Sequence, residues 1–167
     1  MICCFDVFYR QQVATAAAVT ISDWPAAKPL AEYSLEVDDV GEYQAGEFYK
    51  RELSPLSELI KKIDAPIKYF VIDAYCHLSS NQNPGLGAYL SQQLPEESVV
   101  IGVAKNRFRD TTHAVELSRG SSVRKLFVTS IGTSYQEAAD MIDSMHGEFR
   151  MPTILKKVDQ LSRSSDR

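Results

Sequence analysis

The residue that first suggests chemistry is Asp6, a carboxylate in the middle of a strongly apolar segment. Residues 2–9 read Ile-Cys-Cys-Phe-Asp-Val-Phe-Tyr, a composition typical of a strand buried on both faces. A carboxylate inside such a strand costs several kcal/mol unless something neutralises its charge, and a metal ion is a common solution. The alternative is that Asp6 lies at a strand end and caps a turn. The choice depends on which other side chains reach Asp6.

Three further charged residues could share a site with Asp6. Glu52 falls on a predicted helix, while Asp73 and Lys105 end two predicted strands. The carboxyl ends of parallel strands are where α/β proteins place their sites. Carboxylate oxygens select hard cations such as Mg²⁺ or Mn²⁺, which polarise a phosphoryl oxygen and activate a water for attack. The set therefore favours phosphodiester hydrolysis, with Lys105 either contacting the phosphate or helping to deprotonate the water.

The size and composition indicate one folded domain. The chain has 167 residues, of which 44% are hydrophobic, enough for a substantial core. We expect a single domain over residues 1–161 and a flexible tail over residues 162–167. The three cysteines are an odd number and favour a reducing compartment over a disulfide scaffold. Without a signal-peptide pattern or a long apolar run, we expect a soluble, cytoplasmic protein that has no membrane partner.

The charge pattern neither announces nor excludes a nucleic-acid partner. The formal net charge of −4 gives no overall positive field. Lys105, Arg107 and Arg109 nevertheless fall within five residues, and the predicted fold brings Lys50 and Arg51 beside them. Such a group is either a track for nucleic-acid phosphates or an ordinary solvated face.

The order of predicted elements indicates an α/β fold with a mixed β-sheet flanked by helices. Three early strands, the first two joined as a hairpin, precede alternating helices and strands, a layout typical of ribonuclease-H-like folds. An acidic cluster near residues 36–42 is interpreted as a solvated loop, with a metal site as the alternative. The predicted strands cover residues 2–9, 13–22, 29–37, 67–74, 98–104, 113–117 and 125–131. The predicted helices cover residues 47–62, 87–94, 134–146 and 151–161. In the first of these helices, Pro55 is expected to lie in the first turn of a second half.

Six motifs spread in order over nearly the whole chain resemble those of the endonuclease V family, metal-dependent nucleases that recognise deaminated bases, chiefly inosine. The matching motifs are Phe5-Asp6-Val7-Phe8-Tyr9, Tyr43-Gln44-Ala45-Gly46 with Arg51-Glu52-Leu53, Val71-Ile72-Asp73-Ala74, Ile101-Gly102-Val103-Ala104-Lys105, Thr129-Ser130-Ile131-Gly132-Thr133, and Arg150-Met151-Pro152 with Asp159.

The resemblance implies a role for each matching site residue. Asp6, Glu52 and Asp73 would hold a Mg²⁺ or Mn²⁺ ion, and Lys105 would lie at the scissile phosphate. The implied substrate-binding residues are Tyr43, as an aromatic wedge that fills the gap left by an extruded base, Gly46 and Gly102, which let the backbone approach the base closely, and Arg51. The alternatives are that Tyr43 is an ordinary loop aromatic and that Gly102 only allows a helix to pack against a strand.

The sequence departs from the family pattern at positions where the resemblance implies base recognition and catalysis. The catalytic histidine of the family corresponds to Thr133, which cannot act as an imidazole acid or base. Ala74 adds a methyl group where the base edge would approach the backbone, and His77 could substitute for the missing histidine.

Three functions follow in order of preference. The first is a divalent-metal-dependent endonuclease that cleaves DNA or RNA near deaminated bases such as inosine. The alternative is a catalytically impaired nucleic-acid-binding module of the same fold. A third interpretation is a protein-interaction domain that retains the carboxylates by inheritance.

Overall fold

The protein was analysed as a computed structural model that describes residues 1–38, 48–109 and 112–164. The described residues form seven strands and four helices in the alternating order expected from the sequence. The strands are β1 (Ile2–Arg10), β2 (Val13–Ile21), β3 (Ala31–Asp38), β4 (Tyr69–Ile72), β5 (Val99–Ala104), β6 (Val115–Leu117) and β7 (Leu126–Ile131), and the helices are α1 (Phe48–Ile60), α2 (Leu86–Ser91), α3 (Tyr135–Asp143) and α4 (Thr153–Arg163).

All seven strands belong to one mixed sheet with the order β3-β2-β1-β4-β5-β7-β6. The first three strands form an antiparallel meander, and β1 pairs in parallel with β4, which pairs in parallel with β5. The last two strands return antiparallel, β7 against β5 and β6 against β7. The predicted mixed sheet is therefore confirmed, and its three central strands all point towards the same edge.

The central strands are mostly apolar because both faces of the sheet are covered. Successive residues of β1 illustrate this, since Cys3 packs on the side of α1 and α2 and Cys4 packs on the side of α3 and α4. All three cysteines are buried and free, so the fold contains no disulfide bond. None of the helices in the described ranges has the length and apolarity needed to cross a membrane.

Two helices differ from the prediction at their ends or interior. Helix α1 runs without interruption through Pro55, which is buried inside it rather than opening a second half. Helix α4 ends at Arg163, so the prediction of a flexible tail from Ser162 onwards is wrong at its start. Ser162 is fully buried on the apolar side of α4, because it follows Val158 by one helical turn. Residues 165–167 lie outside the described ranges.

Helix α3 begins with the capping box that its sequence predicts. The hydroxyl of Ser134 accepts a hydrogen bond from the backbone N–H of Glu137, and the carboxylate of Glu137 accepts one from the backbone N–H of Ser134.

Gly102, in the middle of β5, leaves room for the chain's own backbone. A Cβ built on this residue would lie 2.3 Å from the carbonyl oxygen of Ala74 and 3.0 Å from the hydroxyl of Thr129. The segment that follows β4 therefore folds directly over β5, and the backbone N–H of Cys76 donates to the Thr129 hydroxyl over 2.8 Å. Gly102 thus admits a close approach of the segment after β4, and its predicted contact with a substrate base stays a prediction.

Because the colliding atoms are mostly backbone, we expect Gly102→Ala to lower the free energy of unfolding by about 1–3 kcal/mol. Denaturant unfolding measures the change. Ser34→Ala, on the exposed face of β3, serves as the control and should alter the stability by less than about 0.5 kcal/mol. Equal stability of the Gly102→Ala variant and the native protein would contradict the close approach.

Candidate active site

The register of the three central strands brings Asp6, Asp73 and Lys105 to one edge of the sheet. Phe5 pairs with Ile72 and Ile72 pairs with Gly102, so Asp6 and Asp73 are each one residue beyond these pairs. Lys105 follows the last residue of β5. Since β4 ends at Ile72, the sheet opens here, and the side chains of Asp6 and Asp73 line a common cavity.

Lys105 is the cationic centre of this edge. Its amine lies 3.0 Å from a carboxylate oxygen of Asp73 and 3.9 Å from one of Asp159, which α4 supplies. Burial alone would lower the pKa of Lys105, but the ion pair and hydrogen bond with Asp73 and the charge of Asp159 outweigh it and raise the pKa. The amine therefore stays protonated, and Asp6, Asp73, Lys105 and Asp159 line one cavity.

Ser162, on helix α4, donates a hydrogen bond to Asp6 on β1. Its hydroxyl oxygen is 2.6 Å from Oδ2 of Asp6 and 2.8 Å from the backbone carbonyl oxygen of Asp159. A hydroxyl has a single proton, so when Asp6 is ionised the donation goes to that carboxylate. The hydrogen bond fixes the position of one Asp6 oxygen.

The sequence prediction of the site lacked Asp159 and Ser162. Asp159 appeared in the last motif without a role, and the predicted tail began at Ser162. The signal that could have found them is the helical spacing of α4, where Leu155, Asp159 and Ser162 recur at three- and four-residue intervals and so lie near one face.

Glu52 lies on helix α1, in the other layer, and lines a second cavity that shares Asp6 and Asp73 with the first. Glu52, Asp6 and Asp73 line a cavity of ≈ 70 Å³. Burial raises the pKa of Glu52 to about 8, and the neighbouring carboxylates Asp73 and Asp6 add to the shift. Burial likewise raises the pKa of Asp6 to about 6, against the opposing effect of the Ser162 hydrogen bond. The site thus gathers more negative charge than its own residues neutralise.

This donor set matches a hard divalent cation in chemical type. Its ligand atoms are carboxylate oxygens, which Mg²⁺ and Mn²⁺ prefer. Burial raises the pKa values of Asp6 and Glu52, neighbouring carboxylates add to the shift, and a bound cation would offset both effects. Over the part of the chain that the structure describes, however, no three histidine, cysteine or acidic side chains lie close enough together to form a complete ligand set. The three predicted ligands share a cavity, but they do not converge to ligand distances in this conformation.

Thr133 lies at the opposite edge of the sheet, away from these carboxylates. Because β7 runs antiparallel to β5, Ile131 pairs with Val100 near the start of β5, whereas Lys105 follows its end. Six strand residues at about 3.3 Å each separate the two edges by roughly 20 Å. The Thr133 hydroxyl donates to Glu137 over 2.6 Å, within the cap of α3. The assignment of Thr133 to the position of a catalytic histidine is therefore wrong.

His77 is likewise engaged away from the carboxylates. Its Nδ1 is 2.6 Å from the hydroxyl of Tyr135, at the start of α3, and its carbonyl oxygen accepts a hydrogen bond from Nε2 of His113 over 2.7 Å. Burial lowers the pKa of His77, and His113 lowers it further. These contacts give His77 a role in holding the segment after β4 rather than the role of the missing histidine.

An aromatic pocket of ≈ 260 Å³ adjoins Asp73. Tyr49 and Tyr89 stack at its rim, with ring centroids 3.7 Å apart and planes 12° from parallel. Phe108 is 41% exposed on the same pocket. Ala74 also lines it, together with Tyr75, whose hydroxyl donates to the backbone of Asn106 over 2.7 Å. The predicted substrate-binding residues Tyr43 and Gly46 lie outside the described residues.

The basic residues that the sequence groups together contact different parts of the protein. Arg51 places its guanidinium over the ring of Tyr9, 4.2 Å from its centroid. Arg107 forms an ion pair with Glu116, whereas Lys105 faces the carboxylates. The basic residues therefore do not form one uniform track, although Lys105 and Arg51 both border the site.

Known structures share this fold over almost the whole chain. The catalytic domain of human endonuclease V superposes with a TM-score of 0.81 at 18% identity, covering 98% of this chain and 81% of the human one. Endonuclease V from Streptomyces avermitilis gives a TM-score of 0.77 at 21% identity over 98% and 80% of the two chains. These structures have a ribonuclease-H-like fold, which confirms the predicted fold class.

A third structure was solved with nucleic acid. Ciona intestinalis endonuclease V, in complex with a 24mer DNA that contains an inosine followed by a ribo-adenosine, gives a TM-score of 0.82 at 18% identity over 98% of this chain and 84% of its own. No curated protein matched in the sequence comparison.

The family itself is identified from the sequence. A family model described as endonuclease V matches residues 1–141, which include β1, α1, β4 and β5 with the residues Asp6, Glu52, Asp73 and Lys105. The chain therefore belongs to the endonuclease V family.

Proposed function

We propose that this protein is a divalent-metal-dependent endonuclease that hydrolyses phosphodiester bonds in DNA or RNA, at or near deaminated bases such as inosine. The observation that carries the proposal is the convergence of Asp6, Glu52 and Asp73 on one small cavity, beside the protonated amine of Lys105. Membership of the endonuclease V family supports a nuclease hydrolase, and the inosine-containing DNA bound to the Ciona relative supports the substrate class.

The proposed metal ligands are Asp6, Glu52 and Asp73. When bound there, Mg²⁺ or Mn²⁺ supplies a Lewis acid for a phosphoryl oxygen and lowers the pKa of an attacking water. The hydrogen bond from Ser162 keeps Asp6 oriented for this role, because it occupies the oxygen that faces α4.

Lys105 is the proposed phosphate contact. Its ammonium group projects beyond the end of β5, and Asp73 and Asp159 restrict where it can lie. Held in this way, it would bind a non-bridging oxygen of the scissile phosphate and stabilise the negative charge that develops there. Asp159 acts as a positioning residue in this scheme, through its charge on the Lys105 amine.

The aromatic pocket beside Asp73 is the proposed site for the extruded base. An unstacked base recovers part of its stacking energy on rings such as those of Tyr89 and Phe108. The methyl group of Ala74 lines the same pocket, which favours recognition by stacking over close approach of the base edge to the backbone.

We expect hydrolysis to be retained, despite the alternative of an impaired binding module. That alternative arose from the threonine at position 133. Because Thr133 lies beside the cap of α3, about one strand length from Lys105, its identity has no direct route to the scissile phosphate.

The direct test is cleavage of DNA and RNA oligonucleotides that carry inosine, uracil or no modification, with Mg²⁺ or Mn²⁺. Asp6→Asn should reduce the rate about 100-fold or more, because it removes a metal-binding charge that the transition state requires. The control is Asp64→Asn, at an exposed carboxylate between α1 and β4, which should leave the rate unchanged. Full activity of the Asp6→Asn variant would assign the cleavage to another site.

Cation binding can be measured without cleavage. Mn²⁺ at about 100 times its Kd should stabilise the native protein by about 2.7 kcal/mol, measured by thermal unfolding. In Glu52→Gln this gain should disappear. At neutral pH the stability of this variant in chelator should equal or exceed that of the native protein, because the pKa of Glu52 is raised to about 8 and folding must protonate this carboxyl at a cost that glutamine avoids.

Glu58→Gln is the matched control for this experiment, since Glu58 lies on the same helix but pairs with Lys61 at the surface. It should keep the full stabilisation by Mn²⁺. An undiminished Mn²⁺ response in the Glu52→Gln variant would remove Glu52 from the ligand set.

The aromatic pocket is tested by Phe108→Ala. Loss of one stacking ring should weaken binding of inosine-containing DNA, measured in chelator, by roughly 5- to 150-fold, corresponding to about 1–3 kcal/mol per stacked base. Leu30→Ala, which removes an exposed apolar side chain just before β3, is the control and should not change the affinity. Identical affinities of the Phe108→Ala variant and the native protein would argue against the pocket as a base site.

A further inference from the structure

Arg150 joins the ends of two strands through their backbone carbonyl groups. Its Nη2 group donates to the carbonyl oxygen of Lys105 and, over 3.0 Å, to that of Lys125. Lys105 directly follows β5 and Lys125 directly precedes β7, and the ladder between these strands ends at the pair Ala104–Phe127. The guanidinium therefore holds the two chains together where the sheet hydrogen bonds stop.

The backbone around Arg150 is held in turn by a second arginine. Arg119 follows β6 and is only 6% exposed. Its guanidinium donates to four carbonyl groups in the segment between α3 and α4, and the carboxylate of Asp143 lies 3.8 Å from its Nε. The four acceptors are the carbonyl oxygens of Met145, Gly147, Phe149 and Arg150, at 2.8, 3.0, 2.5 and 3.4 Å.

Arg150 and Arg119 therefore connect the backbone of Lys105 to the segment between α3 and α4. A lysine side chain has four rotatable bonds and little intrinsic preference for one position. The Lys105 amine is restrained at its tip by Asp73 and Asp159, and its backbone is restrained by Arg150. The segment that carries Arg150 also leads directly into α4, which supplies Asp159.

The hydrogen bonds of the Arg150 guanidinium go to the chain's own backbone. The two protons of its Nη2 group are both directed at carbonyl oxygens, and its Nε is buried without a hydrogen-bond partner among the described residues. Arg124, by contrast, is exposed, and its guanidinium contacts the side chain of Asn106 over 3.3 Å. Arg124 is thus the neighbouring guanidinium that is better placed to meet a phosphate.

We propose that Arg150 is a positioning residue for Lys105, which acts by fixing the backbone carbonyl at the end of β5. This inference rests on the proposed function, in which Lys105 contacts the scissile phosphate. A small displacement of such a contact can cost about 100-fold in rate without changing how tightly the substrate binds.

The test compares Arg150→Met with Arg124→Met in single-turnover cleavage of inosine-containing DNA and in binding of the same DNA in chelator. Arg150→Met should slow the single-turnover step roughly 10- to 100-fold and leave Kd within about twofold. Arg124→Met should keep the rate and weaken binding with a smaller salt dependence. Arg150→Lys should recover part of the rate, because an ammonium group can still donate to a carbonyl oxygen.

A second readout does not require cleavage. Reductive ¹³C-methylation labels Lys105, and the signal that is missing in Lys105→Arg identifies it by NMR. This signal should shift in Arg150→Met and stay in place in Arg124→Met. If the native protein does not cleave any substrate, the proposed function is wrong. The NMR signal of Lys105 then still shows whether Arg150 positions this lysine.

Two outcomes would overturn the inference. The first is a weakened Kd with an unchanged single-turnover rate in Arg150→Met, which would make Arg150 a phosphate contact. The second is an unchanged Lys105 signal in a folded Arg150→Met or, should that variant not fold, in Arg150→Lys.

Discussion

The repulsion between acidic side chains in a partly buried place is the constraint on which this structure depends. Burial raises the pKa of both Asp6 and Glu52, and neighbouring carboxylates raise each further, Asp73 and Asp159 for Asp6, and Asp73 and Asp6 for Glu52. Such an arrangement costs stability, so the surrounding fold has to restrain it. Lys105 partly neutralises Asp73, and the Ser162 hydroxyl donates to Asp6, but within the described ranges Glu52 has no comparable partner. The excess negative charge is what gives the site its affinity for a cation.

The sheet topology explains why these groups meet although they are distant along the chain. Three parallel central strands end at one edge, and β4 is short enough to leave a gap there. The helical layers on the two faces then reach into this gap, α1 with Glu52 and α4 with Asp159 and Ser162. The site therefore exists only in the folded protein and uses both layers.

The sheet and three of the site residues could be predicted from the sequence, because buried strands appear as short, strongly apolar segments. Asp6 and Asp73 each belong to a strongly apolar segment, so their places on the strands were evident, and Lys105 follows a third such segment. Thr133 was misassigned because a motif match ignores direction, and only the antiparallel register of β7 reveals which edge it occupies. Ser162 was missed because a polar residue near a helix end looks the same whether it faces water or a buried carboxylate. The close contact of Gly102 with the segment after β4 could not be predicted, since the two are distant along the chain.

The most direct measurement of the central claim is anomalous diffraction from a crystal soaked with Mn²⁺. The account predicts a peak within bonding distance of carboxylate oxygens of Asp6, Glu52 and Asp73, with small movements of these side chains towards the ion. A Mn²⁺ peak elsewhere on the protein, with these three carboxylates unchanged, would contradict it.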